Sequence, residues 1–198
     1  MATRKEFVSD IEAIRAHARS HLDQGSVTEG YRADRGAVIK ILNDALATEI
    51  VCVLRYKRHY YMASGIHAKS VAAEFLEHAN EEQGHADELA MRIVQLGGAP
   101  DLSPNTLLAR SHADYVEGKD LVEMLEEDLV AERIAIDSYR DIIVYLGNDD
   151  PTTRRMIESI LASEEEHAED LSTLLKEIGT KGEPAKETAK KLPIRRVG

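Results

Sequence analysis

Apolar side chains return every three or four residues through four long stretches of the chain, the spacing of one buried face of an α-helix. The first follows Asp34, a capping residue, and runs to about 64, with Ile39, Leu42, Leu46, Val53, Tyr56 and Tyr60 on one face. The second covers roughly 68–96, carries Val71, Phe75, Leu89, Ile93 and Leu96, and stops at Gly97-Gly98. Asp120 with Glu123 fits a capping box ahead of the third, which holds Leu121, Leu125, Ala135, Tyr139, Ile142 and Leu146. Asp150 as N-cap and Pro151 at the first helical position open the fourth, with Ile157, Ile160, Leu171, Leu174 and Ile178 inward and Gly179 as its stop. Each helix is then a rod of ~40 Å. A shorter amphipathic pattern over 4–22, with Phe7, Ile11 and Ile14 on one side, precedes them.

The connections set the topology. Short links join the first helix to the second and the third to the fourth, giving two antiparallel hairpins. Between the hairpins, residues 98–119 hold Pro100 and Pro104 and little periodicity. A link of that length fits if it returns along the bundle. The expectation is an all-α protein: an N-terminal extension over 1–33, a four-helix bundle over 34–178 with one long crossover, and a tail over 179–198. The tail carries Lys181, Lys186, Lys190, Lys191, Arg195 and Arg196 against Glu183 and Glu187.

Composition narrows the class. The 198 residues are 43% hydrophobic, 31% charged and 5% aromatic, too apolar for a disordered chain and too poor in aromatics for a many-stranded sandwich. Thirty-six acids against 25 bases leave −11, so the body favours cations over nucleic acid as partners. A single cysteine, Cys52, excludes an internal disulfide, and neither a leader nor a membrane span is legible. These features point to a soluble, cytoplasmic protein.

The inward faces are not apolar throughout. Near its middle the first carries Glu49; the second His78, Glu82 and His85; the third Asp128 and Glu132; the fourth Glu164 and His167. No Lys or Arg lies on any of the four faces. A lone carboxylate in a packed interior costs several kcal/mol unless it is paired or loses its charge. Two divalent cations would supply four positive charges against Glu49, Glu82, Glu132 and Glu164, with His85 and His167 as neutral nitrogen donors. The alternative is a set of protonated, mutually hydrogen-bonded core groups.

Spacing favours the metal. Glu82-Gln-Gly-His85 and Glu164-Glu-Glu-His167 each put a carboxylate and an imidazole one turn apart on one face. Glu49 precedes the first pair by 33 residues and Glu132 the second by 32, and Tyr56 and Tyr139 each follow their glutamate by seven. A single Glu-x-x-His is weak, since about one is expected by chance in a chain of this composition. Two, each preceded by a seam glutamate at matching distance, describe the dinuclear carboxylate bundles.

At these residues the chain resembles the ferritin superfamily, and within it the bacterioferritin-type ferritins, over about residues 36–178. The segments that carry the likeness are Asn43-Asp-Ala-Leu-Ala-Thr-Glu49, Glu82-Gln-Gly-His85-Ala-Asp, Asp128-Leu-Val-Ala-Glu132 and Glu164-Glu-Glu-His167. The resemblance implies Glu49 and Glu132 as terminal ligands, Glu82 and Glu164 as bridges, and one iron-bound nitrogen each from His85 and His167, with Tyr56 beside the iron pair. It implies a ferroxidase that oxidises Fe(II) with O2 or H2O2 and stores Fe(III) mineral in a hollow homo-oligomeric shell. Where bacterioferritin carries its haem-ligating methionine this chain has Gln83, so two irons per subunit and no haem are expected. The lysine-rich tail, with Pro184 and Pro193, does not resemble the fifth helix of 24-subunit shells. That favours a 12-subunit shell like the mini-ferritins, although those usually build their site between subunits. Related readings are a di-manganese catalase-like or peroxide-scavenging di-iron protein, and a DNA-protecting mini-ferritin whose tail touches phosphates.

Several residues keep two readings. His78 and Asp128 lie one turn before seam glutamates and fit either a pair orienting the site or a buried hydrogen-bonded couple. Glu77 and Glu81 fit a solvated face better than a mineral-nucleating one. Cys52 reads as a packed thiol, Met62, Met91, Met124 and Met156 as core filling, and His17, His21, His59, His67 and His112 show no recognisable spacing.

Overall fold

The computed structural model describes residues 10–66 and 68–182. The helices are α1 (Ile11–His17), α2 (Arg35–Met62), α3 (Ala68–Gln95), α4 (Leu107–Arg110), α5 (Leu121–Leu146) and α6 (Pro151–Gly182), with a 3-10 turn at Leu22–Gln24. No strand occurs among the described residues. No described helix is long and apolar enough to cross a membrane. Of the basic tail, only the stretch to Gly182 is described, and it continues α6. Gly179 therefore does not stop that helix, since glycine lowers helix stability without forbidding the conformation. Of the N-terminal pattern, Phe7 lies outside the described residues, and the helix covers Ile11–His17 rather than reaching residue 22.

The long helices begin and end for local reasons. Asp34 Oδ1 accepts from Ala37 N at 3.0 Å, and Asp150 Oδ1 accepts from Thr153 N at 3.0 Å, each satisfying a free amide of a first turn. Asp120 caps α5 by accepting from Val122 N and Glu123 N, but Glu123 reaches back to Lys119 N, one residue beyond the capping-box position. At the end of α3, Gly97 takes φ 79°. Gly97 N bonds Val94 O and Gly98 N bonds Ile93 O, the paired pattern that closes a helix on a left-handed residue.

Helices α2 and α3 pack as one hairpin and α5 and α6 as the other, with α2 facing α5 and α3 facing α6. Two apolar clusters fill the bundle at opposite ends. One gathers Leu42, Leu46, Leu89, Ile93, Tyr139, Leu146 and Ile157. The other gathers Tyr56, Val71, Phe75, Met124, Leu125 and Leu171. Burying one such side chain contributes about 1.5–3 kcal/mol, so these clusters hold the rods in register. The middle level between them belongs to polar groups.

The crossover is strapped to α2. Leu107 of α4 packs on Ala47 and Val51. Asn43 bonds Ala99 O and Asp101 N, Arg110 donates to Asn43 O at 2.6 Å, and Thr48 Oγ1 accepts from His112 N at 2.9 Å. Arg58 then holds Glu117 by its carbonyl and its carboxylate.

Candidate metal centre

Helix α2 supplies Glu49, α3 Glu82 and His85, α5 Glu132, and α6 Glu164 and His167, all near mid-helix. The structure brings all six together. Their side chains are at most 2% exposed, except His85 at 11%. His85 Nδ1 lies 3.1 Å from Glu164 Oε1, 3.4 Å from Glu82 Oε2 and 3.5 Å from Glu49 Oε2. His167 Nδ1 lies 3.4 Å from Glu164 Oε2, 3.5 Å from Glu82 Oε1 and 3.9 Å from Glu132 Oε2.

Two overlapping donor sets result, Glu49–Glu82–His85–Glu164 and Glu82–Glu132–Glu164–His167, each with donor atoms within 4.8 Å of one another. Glu82 and Glu164 belong to both. Each of the six residues leaves at least one buried donor atom without a hydrogen bond: Glu49 Oε2, Glu82 Oε1, His85 Nδ1, Glu132 Oε2, both oxygens of Glu164, and His167 Nδ1. The atoms are close but out of line for hydrogen bonding. Buried polar atoms are almost always satisfied, so this concentration of exceptions marks a place shaped for something else. Mixed carboxylate and imidazole donors suit divalent first-row ions, and two overlapping positions suit a pair.

Without metal, protons take up part of the charge. Burial, then the charges of Glu82 and Glu164, push the carboxyls of Glu49 and Glu132 well above the ordinary range. Burial alone would lower both imidazoles. The surrounding carboxylates outweigh it, raising His167 to about 11 and His85 well above its usual value. Glu82 is held low against its burial by Glu49 and the two histidines.

A further layer of residues surrounds the His167 half. His167 Nε2 bonds Glu81 Oε2 at 2.7 Å, which directs Nδ1 into the site. Glu81 therefore does more than face solvent, while Glu77 is exposed as expected. Tyr56 donates to Glu132, and its oxygen lies 3.3 Å from His78 Nδ1. Tyr139, its counterpart by spacing, buries a hydroxyl with no partner among the described residues, so the two halves are not equivalent.

His78 and Asp128 do not form the couple that their positions suggest. Asp128 accepts instead from Arg55 Nε at 2.7 Å and His59 Nδ1 at 2.8 Å, in a network with no exposed side chain. Arg55 also donates to Asp114 O at 2.9 Å, and His59 Nε2 contacts Glu117 O at 3.1 Å. Arg55 lies beside the inward face of α2 rather than on it, and among the described residues its ion pair is with Asp128 and not with any of the four central glutamates. Cys52 is a buried thiol near Arg55, its pKa raised by burial. Met124 is in the core and Met156 packs against it, but Met62 and Met91 are exposed rather than core filling. Gln83 donates to Asp87 at 3.1 Å and offers neither thioether nor imidazole.

Residues 39–180 match the family model of the ferritin-like domain, Ferritin. A bacterioferritin of Brucella melitensis biotype 1 is 34% identical over 149 residues, covering 74% of this chain and 87% of its own. A dodecameric thioferritin, the bacterioferritin-related protein from Bacteroides fragilis, superposes with a TM-score of 0.73 at 34% identity, over 76% of this chain and 90% of that one. The Desulfovibrio desulfuricans bacterioferritin, whose diiron site was captured in different catalytic states, gives 0.67 at 25% identity, over 75% and 84%. With the family model spanning well over half of its length, this chain belongs to the ferritin-like superfamily and is of the bacterioferritin type.

Proposed function

We propose that the chain is a ferroxidase that takes up Fe(II) as substrate, oxidises it at the dinuclear site within one subunit, and stores the Fe(III) product inside a shell of its own copies in the cytoplasm. The observation that carries this reading is the unsatisfied donor atom on each of six buried residues around two overlapping cation positions. Glu49 and Glu132 serve as terminal ligands, Glu82 and Glu164 as bridges, and His85 and His167 give one Nδ1 to each iron. Two Fe(II) ions lose two electrons in all, which with two protons convert O2 to H2O2, or H2O2 to two waters.

The residues contribute position and charge. Four carboxylates at one level favour the higher oxidation state electrostatically. Glu81 fixes which nitrogen of His167 faces the metal, and Tyr56 fixes Glu132. A dodecamer is the assembly favoured by the bacterioferritin-related relative of that size. The absence of a sulfur or imidazole donor at Gln83 supports a haem-free protein.

Glu82→Ala and Glu164→Ala each remove a ligand shared by both positions. Stopped-flow absorbance on Fe(II) addition should show loss of rapid oxidation on the order of 100-fold or more, with unchanged helical circular dichroism. Parental rates in either variant would overturn the assignment. A di-manganese catalase-like protein would instead evolve O2 from peroxide after Mn(II) loading, while a ferroxidase forms Fe(III).

A further inference from the structure

Tyr139 is 1% exposed, and among the described residues its hydroxyl has no hydrogen-bond partner. The buried side chains of its cluster are otherwise hydrocarbon, with Leu42 and Leu46 from α2, Leu89 and Ile93 from α3, and Ile157 and Ile160 from α6. A phenylalanine would fill the same space without burying a donor, and a buried donor left unpaired costs free energy. The dinuclear centre holds a matching exception in Glu49 Oε2, on a side chain 2% exposed.

Helix geometry relates the two groups. Leu42 and Leu46 share a cluster with Tyr139 and Leu146, whereas Cys52 and Tyr56 share the other with Met124 and Leu125, so α2 and α5 run antiparallel. Tyr56 stands two turns past Glu49 on α2 and donates across to Glu132 on α5. Tyr139 stands two turns past Glu132 on α5, the two-fold-related position with respect to Glu49. Long and aromatic side chains on a helix lean toward its N-terminus, so in an antiparallel pair a tyrosine and a glutamate so placed lean toward each other. That lean closes the bond from Tyr56 to Glu132, and it turns the Tyr139 hydroxyl toward the level of Glu49.

We propose that Tyr139 is a positioning residue for Glu49: when Glu49 binds a cation, the Tyr139 hydroxyl donates to its carboxylate. The proposal rests on the ferroxidase reading and adds to it the residue that orients the terminal ligand of the His85 half. A carboxylate bound to a metal through one oxygen keeps lone pairs on the other, and the phenol has one proton to give them. Hydrogen bonds to a ligating carboxylate hold its orientation and raise its affinity for metal. The His85 half is then tightened by the ion it binds, whereas Tyr56 and Glu81 set the His167 half beforehand.

The test is Tyr139→Phe, which removes the hydroxyl and keeps the ring. In anaerobic Co(II) titration of the assembled apoprotein, one of the two dinuclear ions should bind about 10-fold more weakly and the other as in the parent. Glu81→Gln acts on the opposite half, so combining the two substitutions should weaken both ions. Zn(II) binding should move the near-ultraviolet tyrosine absorption of the parent to longer wavelength, as in a phenol that begins to donate, and the shift should shrink in Tyr139→Phe. Metal-free Tyr139→Phe should unfold in denaturant at the parental midpoint or above it, because no hydrogen bond is lost there. A lowered midpoint, an undiminished Zn(II) shift, parental affinity for both ions, equal weakening of both, or a combined variant that spares one ion overturns the role of Tyr139. The dinuclear reading stands or falls separately: Glu82→Ala with Glu164→Ala should abolish binding of both ions, and retention of both would overturn that reading itself.

Discussion

The two halves of the centre are built from the same residue types at nearly the same spacing, yet they are held differently. His167 is 2% exposed and bonded to Glu81 through Nε2, and its neighbour in the same donor set, Glu132, receives the Tyr56 hydroxyl. Beside them sits the sealed Arg55–Asp128–His59 network. His85 is 11% exposed, and among the described residues no protein group bonds its Nε2. Among the described residues the Tyr139 hydroxyl, placed like that of Tyr56, has no hydrogen-bond partner. One half is fixed before metal arrives, and the other is free to adjust at the edge nearest solvent. A repeated ligand motif therefore does not yield two equal sites, because the surrounding residues set rigidity and access.

The largest blow to the fixed half would be Asp128→Ala, which leaves the Arg55 charge buried without its carboxylate. Loss of one partner of a sealed ion pair costs about 3–5 kcal/mol, and denaturant unfolding should read that loss. A cost below about 1 kcal/mol would mean that the network is not sealed in solution. Glu81→Gln is gentler. It keeps an acceptor for His167 Nε2 but removes the charge, and the half-exposed site puts the effect at the low end of outer-layer substitutions, about a 10-fold weaker affinity. Anaerobic Co(II) titration should show one of the two dinuclear ions weakened and the other unchanged. Equal weakening of both would dissolve the distinction between the halves.

The smallest effect follows from acidity. With His167 raised to about 11 and His85 also raised, both rings are protonated at neutral pH in the metal-free centre, and burial among like charges makes the carboxyls of Glu49 and Glu132 hold their protons to higher pH than ordinary carboxyls do. Metal binding must displace these protons, so affinity should rise with pH and each binding event should acidify a weakly buffered solution. A pH indicator followed during anaerobic Fe(II) addition measures this directly. Proton uptake would reverse the assigned charge states.

The sequence reveals the rods and the candidate ligands for one reason: both follow a helical repeat. Asp34, Asp120 and Asp150 mark the helix starts, and the six proposed ligands recur on faces whose apolar neighbours define the seam. The residues around the ligands obey no such repeat. Arg55 and Asp128 meet across 73 positions of chain. Arg55 sits off the inward face of α2, and His59 lies one turn further along the same side. A search for a base level with Asp128 on another helix would have found both. Glu81 was hidden differently: an exposed acid one residue before a ligand looks like any solvated glutamate until His167 approaches it from α6. The stop at Gly179 misled because a glycine ends a helix only where the following chain takes another path.

The apolar clusters above and below the ionisable level have a consequence for turnover. A store that passes iron inward must empty its oxidising centre again and again, and a scaffold that depended on the ions would loosen at every vacancy. On the proposed function, the hydrocarbon at either end keeps four rods clamped whether the middle holds iron or only protons, so cargo can leave without the walls following it.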